Sequence, residues 1–134
     1  MAFDMNKVVI DTNVLVSALW SQDGSPNRIL RLVPEKMIIP FYCQKILNEY
    51  KRVLHRPKFD FSPTEINKLL RELLLYGIEL DAAASAIPFV DESDRVFYDT
   101  ACESGSTLIT GNIKHYPSER FIMAPFEFLR RLGI

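Results

Sequence analysis

Val8-Val9-Ile10-Asp11-Thr12-Asn13 is the stretch that decides the fold. Three β-branched residues in a row leave no polar face. They therefore read as a short strand buried on both sides, as in a parallel sheet. An acid closes that strand, and Asn13 to Trp20 then reads as a helix ended by Ser21-Gln22-Asp23-Gly24. Strand, acid and helix in this order announce an α/β unit with a carboxylate on the C-terminal rim of its sheet.

The units that follow repeat the alternation. Ser25 is placed to cap a helix with Pro26 at its first position, running to about Val33. Met37 to Ile39 is a strand that Pro40 should end. Ile46, Leu47, Tyr50, Val53 and Leu54 give Gln44–Leu54 helical spacing, and Arg56-Pro57 breaks it. Ser62, Pro63 and Glu65 form a helix start with a reciprocal cap, and Gly77 is its end. Ile78 to Leu80 is a short third strand. Asp91 caps a helix from Glu92 to Ser104, Thr107 to Thr110 and Arg120 to Met123 are the last strands, and Pro125 opens a helix to Leu132. Nothing before Lys7 reads as structural. The expectation is one three-layer α/β/α domain over 1–134, core about 7–125, with a mostly parallel sheet of about five strands.

Size and composition agree with a globular domain. A chain of 134 residues hides roughly 68% of its unfolded surface, so no disulfide or structural metal is needed. Hydrophobic residues make up 48% and charged residues 25%. Cys43 and Cys102 lack a zinc or redox spacing. The opening MAFDMNK has no apolar stretch of signal-peptide length, and no run approaches a membrane span, so the cytoplasm is expected. A net charge of −1 excludes a uniformly basic nucleic-acid coat but not a local basic groove. Lys51, Arg52, His55, Arg56 and Lys58 cluster, as do Arg130 and Arg131; a solvated helix face is the stronger reading of them.

In open parallel sheets, sites form beyond the C-terminal ends of the strands. Asp11 follows the first strand, and Gly111 and Asn112 follow the fourth. Asp94 shares a helix face with Phe97, Tyr98 and Ala101, and Glu49 is flanked by Ile46 and Val53. A carboxylate bordering an apolar face is costly unless paired or bound to a cation. Structural explanations stand beside each. Asp11 could anchor a turn, Glu49 could pair with Lys45 or Arg52, and Asp94 could favour the helix dipole or a capping box with Asp91. If the acids converge, their mutual repulsion calls for a hard divalent cation such as Mg²⁺ or Mn²⁺.

VVIDTNVLVSALW, ILNEYKRVLHRPKF and DESDRVFYDTACESGSTLITGNIKHYP together resemble the PIN-domain family, including the VapC-like toxins of toxin–antitoxin pairs. The resemblance runs from about Lys7 to Pro125. It implies divalent-metal-dependent cleavage of RNA phosphodiesters. It assigns Asp11, Glu49 and Asp94 to the family's first three acids, as metal-binding and catalytic residues. The fourth acidic position falls on Asn112, which keeps a carbonyl but loses a charge. Asn13, Ser17 and Thr110 match polar positions that support the acids or approach the scissile phosphate. Asp99 is a weak substitute for the missing acid, because it lies off the Asp94 stripe. Lys114 and His115 are candidates for the RNA backbone, with a plain surface role the stronger reading for His115 and His55. Many family members are held by a small antitoxin or form homodimers. Two rivals stand beside the nuclease. One is a PIN-like module that binds RNA or protein without cutting. The other is a phosphatase with Asp11 as nucleophile, which would want an aspartate where Asn13 stands.

Overall fold

The computed structural model describes residues 4–134. Its five strands lie in the order β3-β2-β1-β4-β5, all parallel. β1 spans Asp4–Ile10, β2 Ile39–Tyr42, β3 Ile78–Glu79, β4 Ser106–Ile109 and β5 Ile122–Met123. Six α-helices connect and cover them: α1 Thr12–Trp20, α2 Ser25–Arg31, α3 Gln44–Leu54, α4 Pro63–Tyr76, α5 Arg95–Ser104 and α6 Pro125–Leu132. The architecture is the expected three-layer α/β/α arrangement. Val8, Val9 and Ile10 are buried, as are Leu108 and Ile109 beside them. Central strands covered on both faces need such uninterrupted apolar runs.

Phe97 and Ala101 put the apolar face of α5 into the core, and Ile46, Tyr50 and Leu54 do the same for α3. Phe97 meets Tyr50 at 6.1 Å between ring centroids. Burying one such side chain contributes about 1.5–3 kcal/mol. That packing fixes α3 and α5 against β1, so the acids they carry are held at the rim by the core itself.

The structure departs from the sequence reading at several places. β1 starts at Asp4, not Val8, because Asp4 joins Ser106 across an irregularity in the ladder. Residues 1–3 of the stretch read as non-structural lie outside the described residues. Pro40 lies inside β2 instead of ending it. It faces Val8 where pairing with β1 stops, and pairing with β3 begins at Phe41, so its missing N–H falls at a change of partner. Gly24, not Ser25, precedes the first residue of α2, and Ser62 makes no side-chain cap to α4. Gly77 follows α4 in extended conformation; a Cβ there would stand 2.3 Å from the Leu73 carbonyl oxygen and 2.7 Å from that of Pro40. Close approach, not a left-handed turn, demands glycine. Gly105 after α5 is left-handed at φ 69°, as a helix-ending glycine should be. The helix expected from Glu92 begins as a 3₁₀ turn, Glu92–Asp94, which Asp91 caps by accepting from the Ser93 N–H at 3.0 Å.

Candidate active site

Because every strand is parallel, the segments after β1, β4 and β5 emerge on one rim. Asp11 stands there, 6% exposed, between β1 and α1. Its Oδ2 accepts from Thr110 Oγ1 at 2.8 Å, from Tyr116 OH at 2.9 Å and from Asn13 Nδ2 at 3.4 Å. Asn13 in turn accepts from the Gly111 N–H at 2.9 Å, which ties the loop after β4 to the start of α1. The Asn112 N–H donates to Thr110 Oγ1 at 2.9 Å, so the threonine hydroxyl is itself oriented. Asn112 is itself exposed, among exposed neighbours. Burial pushes the Asp11 carboxyl up, and the donors from Thr110, Tyr116 and the Thr12 backbone pull it back.

Asp94 is 9% exposed at the junction of the 3₁₀ turn and α5. Its Oδ2 is buried with no hydrogen-bond partner among the described residues. The His115 ring nitrogen stands 3.6 Å away, too long for a hydrogen bond. Burial first, then the charges of Asp11 and Asp91, raise its pKa to about 6; His115 opposes this and Glu49 adds to it. Electrostatics therefore couple Asp11, Asp94 and Glu49. Glu49, on α3, is engaged by Arg52 one turn later at 2.6 Å, the pairing that the sequence left open. Among the described residues, no group of three or more His, Cys, Asp or Glu side chains stands ready to hold a metal ion. The expected acids thus share a neighbourhood without closing into a three-carboxylate cage.

A hard cation nevertheless fits two of them. Mg²⁺ is commonly bound through one or two carboxylates with its remaining positions filled by water and phosphate. An orphaned buried carboxylate oxygen, next to a second carboxylate that raises its pKa, is such a donor set. Asp99 belongs elsewhere: its carboxylate accepts from the Ser85 N–H at 2.9 Å. Ser17 is exposed and lines a cavity with Asn13, Gly111 and Asn112.

Two contributors went unrecognised in the sequence. Tyr116 follows the 3₁₀ turn Ile113–His115, and its buried hydroxyl reaches back to Asp11; burial and the charges of Asp11 and Asp94 push that hydroxyl's pKa far up, which keeps it a donor. Tyr50 donates to the Ile10 carbonyl at 2.5 Å, fastening α3 to the end of β1 beside Asp11. A tyrosine at a buried helical position signals a partner for its hydroxyl, but nothing in the spacing names that partner.

Residues 7–114 match the PIN domain family model. The chain belongs to the PIN domain family. An uncharacterized protein of Methanocaldococcus jannaschii is 33% identical over 109 residues, 79% of this chain and 70% of that protein. PIN domains are commonly nucleases that bind RNA and use divalent metals. The rim just described lies largely within the matched span. No helix among the described residues is long and apolar enough to cross a membrane.

Proposed function

We propose that this PIN domain is a Mg²⁺- or Mn²⁺-dependent endoribonuclease, acting in the cytoplasm as the toxin of a toxin–antitoxin pair. The supporting observation is the buried Asp94 Oδ2, without a hydrogen bond among the described residues, at the rim where Asp11 is held by three donors. Such an oxygen costs stability unless a cation meets it. Asp11 and Asp94 are the residues to hold the ion. When bound, a divalent cation supplies Lewis acidity toward water and toward the phosphate under attack. Thr110, Tyr116 and Asn13 keep Asp11 in one orientation. Glu49, turned from Arg52, accepts a proton from the attacking water. Thr110, fully buried, acts only through Asp11 and the Asn112 backbone; the exposed Asn112 faces the incoming RNA, Ser17 lies along its approach, and Lys114 and His115 meet the RNA backbone.

Incubating single-stranded RNA with the protein in Mg²⁺, in Mn²⁺ and in EDTA tests the reading. Cleavage is expected only with metal, and loss of about a hundredfold or more is expected in Asp11→Asn. Equal cleavage by both proteins discards the mechanism. For the toxin role, expression alone should arrest growth and Asp94→Ala should relieve it. A small antitoxin partner and a homodimer are part of the proposal; co-purification and sedimentation check them.

One observation favours a second reading, a module that binds without cutting. The fourth acidic position is Asn112, and Glu49 is occupied by Arg52. Metal binding in calorimetry without cleavage in either metal selects that reading.

A further inference from the structure

Beyond the acids, the same rim carries a groove of about 430 Å³ on the side of β5, lined by Asn13, Ser17, Gly111, Asn112 and Phe126. Phe126, the second residue of α6, is 69% exposed although it is a large apolar side chain. Its helix neighbours Phe128 and Leu129 are buried, so the core of α6 does not depend on it. The groove adjoins the acids through one residue: Asn13 both donates to Asp11 and accepts from the Gly111 N–H. Its Asn13 wall is therefore fixed, whereas Asn112 presents an exposed amide bearing both a donor and an acceptor.

We infer that this groove is a base-reading subsite, in which Phe126 stacks on an unpaired RNA base next to the scissile phosphate and the Asn112 amide reads that base's edge. The inference rests on the nuclease reading and adds to it what the site selects. Single-stranded RNA is recognised through splayed bases that stack on aromatic rings and are hydrogen-bonded at their edges. Stacking is sequence-tolerant, so Phe126 supplies affinity and Asn112 supplies preference. Asparagine pairs well with an edge offering a donor beside an acceptor. On this account the substitution at the fourth acidic position exchanges charge for base recognition.

Fluorescein-labelled decamers of each of the four ribonucleotides, titrated into the protein in EDTA and followed by anisotropy, test it without cleavage. Phe126→Ala should weaken binding by about fivefold or more, and Phe126→Tyr should restore it. Asn112→Ala should level the differences among the four decamers. Trp20→Ala is the control: Trp20 is 65% exposed but packs its ring edgewise on Phe59 and Phe61, and its loss should leave binding unchanged. Undiminished binding by Phe126→Ala, or equal losses in Phe126→Ala and Trp20→Ala, overturns the subsite. Absence of cleavage in Mg²⁺ and Mn²⁺ with the Phe126→Ala binding defect intact sinks the nuclease reading and leaves the subsite standing.

Discussion

Asp11 and Asp94 are buried carboxylates on one rim, and they are held in opposite ways. Asp11 is met by three side-chain donors on a single oxygen. Asp94 has a buried oxygen that none of the described residues satisfies, and its pKa is raised to about 6 by burial and by its acidic neighbours. The first carboxylate is positioned by the fold. The second is left to something the fold does not supply. A site that is fully satisfied by protein would have little reason to take a cation; one that is wholly unsatisfied would cost too much to fold.

Alanine at each position separates the two most sharply. Both Asp11→Ala and Asp94→Ala are expected to lose cleavage by about a hundredfold or more. Their effects on stability should diverge. Asp11→Ala strands the hydroxyls of Thr110 and Tyr116 and should destabilise the metal-free protein by about 1–3 kcal/mol. Asp94→Ala removes a desolvated charge that caps no helix and should leave stability equal or higher. Denaturant midpoints in EDTA check this, and equal destabilisation by the two variants would erase the contrast.

Tyr116→Phe loosens Asp11 without removing it. Partners that orient a metal ligand typically contribute about 10–100-fold in affinity or activity. A loss in that range, in manganese binding and in cleavage alike, is expected. A variant that bound and cut like the parent would make Tyr116 a packing residue only.

The pH dependence sharpens the Asp94 half. Its folded pKa of about 6 lies above the ordinary value of 3.8, so the fold prefers the protonated acid. That contribution to stability is complete below the ordinary value and is lost as pH rises through about 6. Metal-free protein should therefore melt at a higher temperature at pH 5 than at pH 7.5, and Asp94→Ala should flatten the difference. Metal binding runs the other way, because the ligand must lose its proton: below pH 6 the apparent affinity should fall by about tenfold per unit. Calorimetry across that range reads both.

These contrasts also mark what the sequence discloses. α3 and α6 have the bounds that apolar spacing and Pro125 predict, because helix periodicity is a local property. The rim position of Asp11 is legible because an acid directly after a β-branched strand stands at that strand's C-terminal end. Pro40 was misread because a local rule about proline says nothing of which neighbour a strand has at that rung. Tyr116 was missed because its bond to Asp11 spans 105 positions and follows from the topology, not from any spacing. His115 read as a surface residue; it is indeed largely exposed, yet it is the side chain nearest to neutralising Asp94.

Glu49 is the residue on which the comparison has least grip, and Arg52→Ala tests it with the smallest expected effect. The Glu49–Arg52 pair is an i,i+3 contact with the arginine mostly in solvent, and pairs of that kind contribute about 0–1 kcal/mol. The variant should thus fold as the parent does. Removing the guanidinium frees Glu49 from its ion pair, and the carboxyls of Asp11 and Asp94 already respond to the charge of Glu49. If Glu49 is a reserve ligand or base restrained by Arg52, manganese should bind a few times more tightly in Arg52→Ala, and the gain should vanish when Glu49→Gln is added. If Arg52 instead serves the RNA backbone, metal affinity stays fixed and RNA binding weakens with a shallower salt dependence. The double variant decides between these, because only the first outcome requires Glu49.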